Sequence, residues 1–374
     1  MDVLYEMWLH AICDFKPELV AKIAPMFEKK SETFSSPETD LFMLRDIGIS
    51  GEFARRFTEP EFFKRATDIV EYCQNSEIRI ITRESEEYPK YLLNTECAPR
   101  LLFAKGEYLD VNDKISVSVV GCRKPTDQGK VIARGLGRNL AENGIVSVSG
   151  MAEGIDAEMH WGTIESGGKT IAVLAGSVDK IYPKSNEKLY YEILKNGTVI
   201  SERPPGTVTK KYFYHQRNRI IIGITRGTVF VEGKECSGTS ITARLATENN
   251  RDVFAVPGNP LNWQSEIANR LISEGAVVVN NLDTPAEYYK KQYPELFKSI
   301  GTRRIPDVGA KEHFMNGDEH ILNYLTEKGV SVGIDEIAEE LGVQINVLSG
   351  RLTILCIKGY IRQESGNRYI IVKK

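Results

Sequence analysis

Between Arg203 and Arg219 the chain reads Arg-Pro-Pro-Gly-Thr-Val-Thr-Lys-Lys-Tyr-Phe-Tyr-His-Gln-Arg-Asn-Arg. Five cations (Arg203, Lys210, Lys211, Arg217, Arg219) stand there with no acid, around three consecutive aromatics, Tyr212 to Tyr214. Cations that track a phosphate backbone, interleaved with rings on which bases stack, are the chemistry of single-strand nucleic-acid binding, each stacked base contributing about 1–3 kcal/mol. The alternative is a solvated loop whose aromatics pack on a neighbouring sheet.

Other candidate residues sit in glycine-marked turns. Gly121-Cys122-Arg123 offers a guanidinium that can clamp a phosphate through two N–H groups. Ser149-Gly150-Met-Ala-Glu-Gly154-Ile-Asp156 and Ser237-Gly238-Thr239-Ser240 each lead into a helix-period segment, whose free N–H groups suit an anion. Pro257-Gly258 closes a later apolar run. Each turn alone is ordinary backbone chemistry; together they make several anion-competent turns.

Catalytic constellations are missing. Asp156, Glu202 and Glu232 could each serve as a general base but nothing pairs them; Glu202 and Glu232, at strand ends, read as acceptors for loop N–H groups or arginines, while His160 and His215 lack a nucleophile. No nucleophile elbow, P-loop or complete Gly-x-Gly-x-x-Gly is present; Gly135 and Gly137 fall inside a helix-period segment. The six cysteines are scattered without a C-x2-4-C pair, which argues against zinc and for reduced thiols in a cytoplasm. Nothing in the sequence asks for a cofactor. No apolar run reaches the ~18–20 residues of a membrane span, and the first residues lack a signal peptide's basic n-region and small-residue cleavage site.

The elements that must position these residues follow from periodicity. Strand-like runs at 116–120, 146–148, 170–174, 198–200, 227–231, 252–256 and 276–279 alternate with helix-period segments at 127–143, 156–166, 186–195, 240–250 and 265–274. Short strands apolar on both faces, alternating with helices, predict an α/β fold: a doubly wound, Rossmann-like parallel sheet over 76–300. Ligands of such sheets bind at the carboxyl ends of the strands, which is where the glycine-marked turns stand.

Residues 1–75 read as an α-helical N-terminal domain, 301–312 as a linker, and 313–374 as three helices and a hairpin, the pattern of a winged helix. With 374 residues, three domains fit the usual ~100–200 residues each. The net charge of −3 divides unevenly: residues 1–75 carry 9 basic and 14 acidic side chains, 76–310 carry 31 and 28, and 311–374 carry 8 and 9. The acidic total therefore conceals a mildly basic middle. The tail's third helix carries only Arg351 and Lys358 as cations, too few for duplex binding that depends on phosphate neutralisation, so a protein-contact or autoregulatory role fits the tail better.

With these residues in place the chain resembles the DprA/Smf family of DNA-processing proteins. The likeness rests on Gly121-x-Arg123, the 149–156 turn, Tyr182-Pro183 with Asn186 and Leu189, Ser201-Glu202-x-Pro204-x-Gly206 and Arg217-Asn218-Arg219. Ser237-Gly238 with Thr242-Ala243, Pro257-Gly258, and Asn269-x-Leu-Ile272 before Gly275-Ala276 continue it in order. The resemblance implies a non-catalytic, homodimeric protein that binds single-stranded DNA and loads the RecA recombinase onto strands taken up in natural transformation. It also implies a DNA pocket lined by Arg123, Ser149, Gly150, Lys211, Tyr214 and Arg217 to Arg219. From their place in the same turns and basic segment, Gly121, Lys210, Ser237 and Gly238 join the candidate set. Cys122 replaces the family's serine, Tyr214-His215 its Phe-Pro, and Ile267 a glycine. The alternative enzyme reading is a phosphoribohydrolase resembling the LOG enzymes, whose paired glycines Cys236-Ser237-Gly238-Thr239 does not reproduce.

Overall fold

The computed structural model describes residues 3–27, 51–108, 111–235, 237–297, 318–357, 359–364 and 367–372. The chain forms two compact units, Met1–Gly301 and Thr302–Lys374. The linker expected at 301–312 lies outside the described residues.

The first unit is built on nine strands: β1 Arg79–Thr82, β2 Leu101–Gly106, β3 Ser116–Val120, β4 Val146–Ser149, β5 Thr170–Val173, β6 Gly197–Ser201, β7 Gly227–Phe230, β8 Asp252–Ala255 and β9 Val277–Val278. Their order in the sheet is β1-β2-β6-β5-β4-β3-β7-β8-β9. From β6 to β9 every neighbouring pair is parallel, while β1 and β2 add an antiparallel edge beyond β6. Strands β3 to β7 are buried along their whole length, because helices cover both faces. From β3 the chain steps outward to β6 and then returns to the other side of β3 to build β7, β8 and β9. The switch point lies between β3 and β7, and the carboxyl edge there is the general ligand position of such sheets.

The helices Asp127–Glu142 and Ile155–Glu165 pack backbone to backbone beside this edge. A Cβ added at Gly162 would collide with the Arg134 carbonyl, and one at Gly137 with that of Met159. These glycines serve helix contact, in keeping with their place inside a helix-period segment.

The helices Val3–Ile12 and Pro60–Asn75 share a core with the sheet: Met7, Ala11, Phe15, Ala66 and Cys73 pack with Leu101, Phe103, Ala172 and Val199. A buried ion pair, Arg100 Nε to Glu6 Oε2 at 3.0 Å, fastens the first helix beside the start of β2. Tyr5, Leu9, Cys13, Val20, Ile23, Ala24 and Ala54 form a smaller cluster of their own. The change of hydrophobic period near residue 75 thus coincides with a change of element type inside one compact unit.

The second unit contains the helices Asp318–Lys328, Ile334–Leu341 and Ile345–Ile357. Three short antiparallel strands, β10 Val332–Gly333, β11 Ile361–Glu364 and β12 Arg368–Ile371, pair in the order β10-β12-β11. Leu348, Leu352 and Leu355 of its third helix are buried against Ile321, Leu325 and Ile337.

Gly162→Ala is expected to lower the unfolding free energy by about 1–3 kcal/mol, the usual cost of overpacking. Urea titration followed by circular dichroism measures it, and an unchanged midpoint would contradict the backbone contact.

Candidate nucleic-acid interface

The turn after β3 is held from the turn after β7. Cys122 N donates to the Glu232 carbonyl at 2.7 Å, and the Glu232 carboxylate accepts from Thr126 N at 2.8 Å and from the Thr126 hydroxyl at 2.5 Å. Thr126 in turn caps the helix Asp127–Glu142 by accepting from Gly129 N at 2.9 Å. A Cβ at Gly121 would strike the Ile155 side chain and the Glu232 carbonyl, so close packing requires the glycine. Arg123 emerges from this turn exposed, its guanidinium lying 4.7 Å from the centre of the Tyr214 ring.

The turn after β4 is braced from below. Ser149 is fully buried and donates to the Val119 carbonyl at 2.7 Å. Gly150 N and Ala152 N donate to Asp156 Oδ2 at 3.1 and 3.4 Å. Burial pushes the Asp156 carboxyl up from its ordinary range, against the opposing pull of Arg217 and these amides. Arg217, only 7% exposed, donates to the Gly150 carbonyl at 2.8 Å and to the Val173 carbonyl, joining the ends of β4 and β5. Its Nε donates to Asn218 Oδ1 at 3.2 Å, and Asn218 Nδ2 reaches the Thr242 hydroxyl at 2.9 Å. A Cβ at Gly150 would collide with the Arg217 guanidinium. Burial lowers the pKa of Arg217, while Asp156 raises it.

Between these turns lies a cleft of about 80 Å³ lined by Arg123, Gly150, Glu153, Lys180, Tyr182, Thr209 and Tyr214, among others. Its carboxylate, Glu153, accepts from the Ser185 hydroxyl at 2.6 Å. Burial and then Tyr182 push the Tyr214 phenol up, with Arg123 and Arg217 opposing. A cation stacked on a half-buried ring, beside an exposed second tyrosine and a lysine, can hold a base between rings and a phosphate at its rim.

The expected basic loop is in fact two things. From Phe213 the segment is helical, to Ile224, because the apolar run Ile220-Ile221-Ile222 packs against a face of the sheet. The arginines turn inward: Arg203 stacks on Phe213 at 4.1 Å and donates to the Phe15 carbonyl at 2.7 Å, and Arg219 pairs with Glu202. Lys210 and Lys211 stay exposed beside Thr209, and Tyr212 is 53% exposed. Ser237 and Gly238 stand apart from the cleft. Gly238 opens the helix Gly238–Glu248, and Ser237 lines a separate groove with Arg244 and Arg270.

Arg123, Gly150 and Tyr214 are therefore brought together at the cleft. Gly121, Ser149, Arg217 and Asn218 support it from behind, and Arg219 is engaged elsewhere. Lys180 and Thr209 are not singled out by the sequence, and Tyr182 figures there only in the Tyr182-Pro183 match. Their signal is position: 180–182 follows β5, as Arg123 follows β3.

A family model described as DNA recombination-mediator protein A matches residues 79–290, more than half of the chain. The chain belongs to that family. The DNA processing protein DprA of Bacillus subtilis is 36% identical over 219 residues, 59% of this chain and 74% of that one. The X-ray structure of DprA from Streptococcus pneumoniae superposes with a TM-score of 0.55 at 32% identity, covering 73% of this chain and 98% of that chain. A structure of DNA processing protein A from Helicobacter pylori, described for its single-stranded DNA binding mode, gives 0.53 at 28%, covering 57% of this chain and 97% of that chain. No helix among the described residues is long and apolar enough to cross a membrane.

Two outcomes follow from the bracing. Arg217→Met leaves Asp156 buried without its counter-charge and should cost about 3–5 kcal/mol in chemical denaturation, part of which Asp156→Asn restores. His160 is fully buried and hydrogen-bonded through Nδ1 to the Thr170 hydroxyl at 2.7 Å; burial, and Arg217 after it, lower its pKa from 6.5 to about 3. Between those values the unfolded chain binds a proton that the folded chain refuses, so stability falls on acidification by about 1.4 kcal/mol per pH unit. His160→Asn should lack this slope relative to the parent in denaturation at stepped pH; parallel curves would contradict it.

Proposed function

We propose that this chain binds single-stranded DNA at the carboxyl edge of β3, β4 and β5, and delivers the strand to the RecA recombinase during recombination of DNA taken up from outside. The carrying observation is the Arg123 guanidinium stacked at 4.7 Å on Tyr214 in a cleft that Lys180 and Tyr182 also line. Exposed rings and cations at one sheet edge suit unpaired bases, whose faces a duplex keeps stacked away. The Helicobacter pylori relative, described as binding single-stranded DNA, supports the reading.

Binding without catalysis fits the carboxylates at the carboxyl ends of the strands. Asp156 is held by backbone amides, Glu232 by Thr126, Glu202 by Arg219 and Glu153 by Ser185. None is poised as a general base. The reading extends to a homodimer working in the cytoplasm, and to a winged-helix tail that contacts protein rather than duplex. The tail's third helix supports this last point: it buries its leucines and carries Arg351 within 3.8 Å of Asp318.

Arg123→Ala is expected to weaken binding of a labelled oligothymidylate by about tenfold. It should also make the salt dependence of the binding constant shallower by about 0.7 per lost phosphate contact. Fluorescence anisotropy at stepped salt measures both. Equal parent affinity for single strands and for duplex of the same length would contradict the proposal.

A further inference from the structure

Beyond β8 the chain turns through residues 256–265 and holds two large apolar side chains in water: Leu261 is 91% exposed and Trp263 43%. The turn is firmly built. Asn269 Nδ2 donates to the Gly258 carbonyl at 3.0 Å and its Oδ1 accepts from Gly258 N at 3.1 Å. Leu261 N donates to Asn259 Oδ1 at 2.9 Å, and Ser265 N to the Asn262 carbonyl at 2.9 Å. A loop this constrained fixes where its apolar side chains stand.

The same turn is tied to the switch point. Gly233 N donates to the Gln264 carbonyl at 2.6 Å, and Ile267 N to the Gly233 carbonyl at 3.1 Å. The neighbouring Glu232 carbonyl accepts from Cys122 N. The turns that carry Arg123 and Trp263 thus hang from adjacent residues, at the carboxyl ends of β3, β7 and β8. Strands lie about 4.8 Å apart, so β3 and β8 are separated by about 10 Å. That is about three bases stacked at ~3.4 Å.

Two exposed cations stand between the two turns. Lys124 and Lys234 are exposed and make no ion pair among the described residues. Nearby carboxylates are occupied: Glu232 by Thr126, Glu235 by Arg270 at 3.0 Å, and Glu266 by the amide of Glu235 at 3.1 Å.

We propose that Trp263, with Leu261 beside it, is a second base-stacking platform. A strand held by Arg123 and Tyr214 passes over the joined turns after β3 and β7, its phosphates facing Lys124 and Lys234, and stacks a base on the indole. This rests on the single-strand reading above and lengthens its site.

The chain has three tryptophans, and the other two, Trp8 and Trp161, are packed against the core, so Trp263 is the solvent-facing reporter. The full chain is titrated with oligothymidylate while tryptophan emission and the anisotropy of a labelled oligonucleotide are followed together. Emission should be quenched in the parent. Trp263→Leu should abolish most of that quenching and weaken binding by roughly tenfold, while Trp263→Phe keeps most of the affinity. Parent-like affinity in Trp263→Leu, with no quenching in the parent, would overturn the platform and leave the Arg123 site standing. Absence of oligonucleotide binding by the parent would overturn both. A blue shift of Trp263 emission that grows with protein concentration before DNA is added would assign the loop to a contact between copies and overturn the proposal.

Discussion

The carboxyl edge of this sheet depends on one buried cation. The Arg217 guanidinium joins the Gly150 and Val173 carbonyls, with the Asp156 carboxyl charge nearby. A buried charge is tolerated only when its donors are satisfied and a counter-charge is near. Here meeting that requirement fixes the turns after β4 and β5 relative to each other. Gly150 must be glycine because the guanidinium lies where its side chain would be. With the floor fixed, Tyr214, one turn earlier on the same helix, stands half-buried under Arg123. The Arg123–Tyr214 pair is positioned by the buried arginine.

This separation of roles explains why charge counting along the sequence is a partial guide. The 203–219 segment carries five cations, but three of them build the fold: Arg203 against the Phe213 ring, Arg217 beneath Gly150, and Arg219 with Glu202. Only the two lysines of that segment face water. The cationic surface instead gathers residues from separate turns, Arg123, Lys124, Lys180 and Lys234, which the chain order scatters and the sheet collects.

The sheet itself was legible. Short β-branched runs apolar on both faces fit buried strands, and their alternation with helix-period segments dictates parallel crossovers. The helix Phe213–Ile224 escaped that reading because its first turn is aromatic and cationic and its apolar residues run consecutively at 220–222 rather than at a spacing of three and four. Glycines marked the right turns, although the sequence could not say which of their neighbours point outward. Arg123 and Arg217 look alike as letters; burial divides them. Lys180 was hidden because it stands four residues beyond Gly176, the glycine of the turn after β5, and Tyr182 figured only in the Tyr182-Pro183 match.

A single strand lying along the carboxyl edge, between the turns after β3, β4 and β5, is the central claim. Hydrogen–deuterium exchange of the full chain with and without oligothymidylate tests it most directly. Exchange in 121–126, 150–154 and 209–214 is expected to slow on adding the strand. Protection confined to the Gly238–Glu248 groove or to 318–372, with those turns unchanged, would contradict it.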